Sequence, residues 1–105
     1  MRKVRLTPAA RRDLADIRRY TREIWGNAQM RRYMEGMGGH FSRIASGDAM
    51  LRSTAEGQAD YRFTRYGSHF IFLLISEHAV SIIRVLHVRS DVVRHLGESQ
   101  GGKAD

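Results

Sequence analysis

A two-layer α+β sandwich of order β-α-α-β-β-β is the fold class this sequence predicts, with a helical hairpin packed on a mostly antiparallel sheet and a short C-terminal helix. Three observations predict it. Apolar residues recur at three- and four-residue spacing from Ala10 to Ile44, broken only at Gly26-Asn27, as in two antiparallel helices joined by a short link. Three β-rich runs follow at 61–66, 69–76 and 80–87, and two-residue turns at Gly67-Ser68 and Glu77-His78 make them a meander. Val4 and Leu6 alternate with Lys3 and Arg5 to give a short opening strand.

Each element has its own local reasons. Thr7-Pro8 starts the first helix, Thr as cap and Pro where a missing N–H costs nothing. Ala10, Leu14, Ile17, Thr21 and Ile24 form its buried stripe, and Arg11, Arg12, Arg18, Arg19 and Arg22 gather opposite. Gly26 ends that helix and Asn27 is expected to cap the next. Met30, Tyr33, Met34, Met37, Phe41 and Ile44 line the second helix. Gly36, Gly38 and Gly39 interrupt it at about 1 kcal/mol each relative to Ala, which predicts a weak or kinked middle. Gly47 stops it, and 48–60 reads as a polar loop without structure of its own. Gly67 at the first turn position suits a type II′ hairpin. Ser90 or Asp91 caps a helix over 91–96.

Phe70 to Ile75 is apolar on both faces, so whatever the helices leave uncovered needs a second cover, the C-terminal segment or a partner chain. The chain divides into one domain over 1–96 and a flexible polar tail over 97–105. Its 105 residues carry a net charge of +7, almost all from Arg, which favours an acidic protein or a nucleic acid as partner. No apolar run approaches a membrane span and no signal peptide is evident. The absence of cysteine agrees with a cytoplasmic protein and removes thiolate metal sites. No metal or cofactor is expected. His69, His78 and His87 lie in separate positions, and Gly36-x-Gly38-Gly39 sits within a helix rather than after a strand.

An ordered set of residues spanning Val4 to Leu96 resembles the ParE branch of the RelE/ParE toxin superfamily. The set comprises Leu6-Thr7-Pro8-Ala9-Ala10, Asp13-Leu14-Ala15-Asp16-Ile17, Tyr20, Ile24-Trp25-Gly26, Ala28-Gln29, Arg32-Tyr33, Phe41 and Ile44-Ala45. It continues with Tyr61-Arg62, Tyr66-Gly67, and Ile83-Arg84-Val85-Leu86-His87 followed by Arg89 and Asp91. The resemblance implies a toxin of a type II toxin–antitoxin pair, neutralised by a cognate antitoxin. In the ParE type the target is DNA gyrase, trapped on cleaved DNA; in the RelE type the fold is a ribosome-dependent mRNA endonuclease.

Two sets of residues are candidates for these roles. Arg62, Arg84, His87, Arg89 and Asp91 could gather at one sheet end as a target-binding patch. Arg62, Arg84 and His87 are also the alternative catalytic trio, since metal-free RNA cleavage needs a base, an acid and cations on the phosphate. The bland reading pairs Arg84 with Asp91 or Glu77 and hydrogen-bonds His87 to backbone or Asp91. Candidate antitoxin contacts are Arg11, Arg18 and Arg22 for carboxylates, Met30, Met34 and Met37 as an adaptable surface, and Phe70 and Phe72. Asp13 and Asp16 are read as serving the helix dipole.

Overall fold

A computed structural model describes residues 1–53, 61–91 and 93. Its elements are β1 (Lys3–Leu6), α1 (Pro8–Trp25), α2 (Asn27–Ala45), β2 (Arg52–Ser53), β3 (Tyr61–Tyr66), β4 (His69–Ile75) and β5 (Ala79–His87). They form a five-stranded sheet of order β1-β5-β4-β3-β2, antiparallel except for the β1–β5 pair. The expected architecture is present, with β2 as an addition. Arg52 and Ser53, expected in an unstructured loop, pair with Phe63 and Arg62 and extend the sheet edge. Residues 54–60, the tail 97–105 and most of the C-terminal helix lie outside the described residues. Asp91 and Val93 are helical, and the Val93 N–H donates to the Ser90 hydroxyl at 3.1 Å.

Thr7 caps α1 as expected, its Oγ1 accepting the Ala10 N–H at 3.0 Å. The cap of α2 is different. Gly26 occupies that position at φ 88°, and Asn27 is already helical with no side-chain cap. The glycines do not break α2, which is helical from Asn27 to Ala45. Gly36 lies against the Tyr66 ring of β3, so a Cβ there would overlap the phenol, whereas Gly38 and Gly39 face open space.

The core joins Ala10 and Ile17 of α1 and Met37, Phe41 and Ile44 of α2 to Ile71 and Leu73 of β4 and Val80, Ile82 and Val85 of β5. One face of β4 therefore meets the helices. Phe70, Phe72 and Leu74 alternate onto the other face, where they are half-buried. Ile24, expected in the buried stripe, is 56% exposed. The α1 core contacts end at Thr21, and the last turn projects past the packed layer.

The ladder between β4 and β5 slips by one residue. Phe72 pairs with Arg84 and Leu73 with Ile82, leaving Ile83 as an extra residue. This β-bulge decides which way the end of the chain's longest strand faces. Strict alternation from Val80 and Ile82 would bury Arg84; the extra residue turns Arg84 away from the helices and brings Val85 in.

Candidate functional site

Strand β1 ends at the level of Ile82, so among the described residues the outer edge of β5 from Ile83 onward has no strand neighbour and its backbone groups need other partners. Residues at the start of α1 supply them. The Thr7 N–H donates to the Ile82 carbonyl at 3.1 Å and the Thr7 hydroxyl to the Ile83 carbonyl at 2.8 Å. Asp13 Oδ2 accepts the Val85 N–H at 2.9 Å. The same carboxylate takes the Arg84 guanidinium in a fork, Nε to Oδ2 at 2.7 Å and Nη2 to Oδ1 at 3.0 Å. Arg84 thus pairs with Asp13, not with Asp91 or Glu77, and that hydrogen bonding pushes its pKa above the ordinary arginine value. Asp13 is part of the sheet margin rather than only a dipole partner. Seventy-one positions separate the two residues, so no local spacing signals the pair.

The bulge also sets His87 on the helix side, opposite His69 of β4, with the rings edge-on at 5.4 Å. The Tyr33 hydroxyl of α2 closes the cluster, 2.7 Å from His69 Nδ1, 3.1 Å from the Tyr66 carbonyl and accepting the Ser68 N–H at 3.0 Å. Burial, then the neighbouring His87, lowers the His69 pKa to about 4, and burial raises that of Tyr33. His87 Nδ1 accepts the Arg89 N–H at 3.0 Å, which places the proton of its neutral ring on Nε2. Gly67 is required twice here. Its φ is 54°, and a Cβ would sit 2.6 Å from the Tyr33 ring.

These groups floor an open groove of about 750 Å³ between α1 and the end of β5, walled by Asp16, Tyr20, Thr21, Trp25 and Gln29. Its rim is apolar and solvent-facing, with Tyr20 61% and Trp25 68% exposed beside Ile24. Sequence periodicity did not single out this rim, because Ile24 continues the core spacing beyond the point where the core ends. Among the described residues no group of three or more His, Asp or Glu side chains could hold a metal ion. Likewise, among those residues no helix is long and apolar enough to cross a membrane.

The candidate target and catalytic residues are spread over the molecule. Arg62 is paired with Leu73 on the helix side of β3 and donates to the Tyr61 carbonyl at 2.9 Å. His87 shares that face but lies opposite His69, four residues along β4 and one strand further over, roughly 16 Å away by strand dimensions. Arg84 leaves the opposite face. The structure brings His87 together with His69 and Tyr33, and does not bring it together with Arg62 and Arg84. Arg89 and Asp91 follow His87 out of the sheet and are exposed. Among the candidate antitoxin contacts, Arg11, Arg18 and Arg22 are exposed on α1, with Arg18 Nη1 3.6 Å from Met30 Sδ. Met30 and Met37 belong to the buried core, at 7% and 1% exposure, and Met34 is half-buried, so they offer little surface to a partner. Phe70 and Phe72 are on the far face of the sheet.

Residues 4–92 match the family described as the ParE toxin of the type II toxin–antitoxin system parDE. The chain is 34% identical over 99 residues to Toxin ParE of Escherichia coli, covering 92% of this chain and 95% of that protein. It is 34% identical over 97 residues to Toxin ParE1 of Caulobacter vibrioides, covering 92% of this chain and all of the relative. Among solved structures, the chromosomal ParDE toxin–antitoxin system from P. aeruginosa superposes with a TM-score of 0.67 at 12% identity, covering 83% of this chain and 96% of the other.

Proposed function

Because the chain belongs to the ParE toxin family of type II toxin–antitoxin systems, we propose that it inhibits DNA gyrase by binding and is held inactive in the cytoplasm by a cognate antitoxin. The observation that carries this reading is the divergence of Arg62, Arg84 and His87. Metal-free RNA cleavage needs a base, an acid and cations converging on one phosphate within hydrogen-bond reach. Here Arg84 is committed to Asp13 on one face, and Arg62 and His87 stand far apart on the other. Contact surface, by contrast, is plentiful. The groove beside α1 presents Tyr20 and Trp25 to solvent, an apolar anchor of the kind that seats a partner's side chains. An acidic antitoxin would be drawn to it by the net charge of +7 and held at its margin by Arg18 and Arg22. His87 and Arg89, with Asp91 beyond them, leave the end of β5 together and are assigned to the target.

Two assays on the purified chain test the reading. With gyrase and supercoiled plasmid it should trap cleavage complexes, and addition of the antitoxin should prevent this. Site-specific cuts in message on translating ribosomes, abolished by His87→Ala, would overturn it.

A further inference from the structure

Resting on the gyrase reading, in which His87 and Arg89 meet the target, we infer that Tyr33 is the positioning residue that holds both of them in place, acting through Ser68 and His69. One hydroxyl carries this role. It stands on α2, yet its three neighbours belong to the β3–β4 hairpin. It accepts the Ser68 N–H at 3.0 Å, donates to the Tyr66 carbonyl at 3.1 Å and lies 2.7 Å from His69 Nδ1. Two routes lead from it to the end of β5. Along the first, the Ser68 carbonyl accepts the Val88 N–H at 2.9 Å, tying down the residue between His87 and Arg89. Along the second, His69 sets its ring edge-on to His87 at 5.4 Å, and His87 Nδ1 accepts the Arg89 N–H at 3.0 Å.

The hydroxyl matters because the chain beyond His87 has few other holds. Past that residue it has left the sheet, and Arg89 is exposed. Among the described residues, the other bonds of 88–90 run along the segment itself: Ser90 N–H to the His87 carbonyl at 2.9 Å and Val93 N–H to the Ser90 hydroxyl at 3.1 Å. The clamp on Val88 is therefore only as firm as Ser68, an exposed residue of a two-residue turn. Such a tip keeps a carbonyl aimed only where the turn itself is anchored. Tyr33 is that anchor, its ring against Gly67 and its hydroxyl on Ser68. A phenol has one proton and two lone pairs. With its proton on the Tyr66 carbonyl, one lone pair takes the Ser68 N–H and the other takes a proton from His69 Nδ1, so all three bonds form together and His69 is fixed in one tautomer. A target then meets His87 and Arg89 already in place, and its affinity is not reduced by the time they would spend elsewhere.

Tyr33→Phe tests this in the full chain, since it keeps the ring that packs on Tyr66 and deletes the hydroxyl alone. By NMR, the amides of Val88 and Arg89 should exchange about tenfold faster than in the parent, while those of Ile71 and Leu73 in the core are unchanged. Proton–nitrogen spectra of the imidazoles should show His87, held in the parent as the Nε2–H tautomer, becoming a mixture of both. The toxin concentration for half-maximal trapping of gyrase on plasmid should rise about tenfold. Three results would overturn the inference. Val88 and Arg89 could stay as protected as in the parent; protection could fall evenly through the core, which would make Tyr33 a packing residue; or trapping could be unchanged although the end of β5 has come loose. A parent chain that traps no gyrase is instead a failure of the gyrase reading, and exchange at Val88 and Arg89 then decides the positioning role by itself.

Discussion

At Asp13 one carboxylate does two jobs, closing the Val85 N–H and holding Arg84 in a fork, while it is only 13% exposed against 40% for Arg84. The two ends of this pair should therefore not respond equally. Asp13→Ala leaves a backbone donor and a guanidinium without their acceptor and is expected to cost about 2–3 kcal/mol. Arg84→Ala leaves the Val85 bond in place and a head group that water was already reaching, so about 1 kcal/mol is expected. Urea denaturation of both variants checks the order. His69 yields a second prediction. Unfolded, it takes up a proton near the ordinary imidazole value; folded, it does so only near 4. The folded state binds fewer protons between those values, so stability is fully present above about 6.5 and declines as pH falls toward 4, by about 1–2 kcal/mol after allowance for partial exposure. Burial and Arg43 move His40 in the same direction. Urea midpoints at about pH 7.5 and about pH 4.5 should differ less in His69→Gln than in the parent. None of this was legible in the sequence, because Asp13–Arg84 and Tyr33–His69 are long-range pairs created by the sheet.

Within α2 the three glycines look alike in sequence and are not alike in the fold. Gly38→Ala and Gly39→Ala meet nothing and should stabilise by up to about 1 kcal/mol each. Gly36→Ala must displace Tyr66, which is packed between Tyr33 and His40, and should cost about 1–2 kcal/mol. Its cost should shrink in a Tyr66→Phe background, and a double-mutant cycle on thermal midpoints measures that coupling. Most elements were readable from the chain itself. Thr7-Pro8 starts α1, Gly67 turns the hairpin with a positive φ, and period 3.6 gives way to period 2 at the loop. Two features were not readable. The edge strand β2 is two residues long and gains its identity only by pairing with β3. The bulge at Ile83 has no marker, since Ile82-Ile83 reads as any β-branched pair, and it decides which face Arg84 takes and which face His87 takes.

Among the described residues the molecule has one apolar layer between helices and sheet, and the groove beside α1 and the far face of the sheet lie outside it. The sequence led directly to the second, through the doubly apolar run from Phe70 to Ile75. The groove stayed hidden because its walls come from α1, α2 and the end of β5, which only the fold brings together. Trp25 is the sole tryptophan and is 68% exposed, which makes it a reporter. Its emission should shift to shorter wavelength when the antitoxin seats in the groove, and the midpoint of thermal unfolding should rise with antitoxin concentration. An unchanged spectrum in the stable complex would place the antitoxin elsewhere. The charge of +7 further predicts that the association rate falls steeply with salt, measurable by stopped-flow.

The looped-out Ile83 carries one more consequence. Removing it would let Arg84 follow Ile82 directly, and every later side chain of β5 would keep the direction it has now, with an unbroken ladder to β4. Relatives could thus be one residue shorter in mid-strand, a place where alignments ordinarily forbid a gap, and still hang the same groups on the same sides.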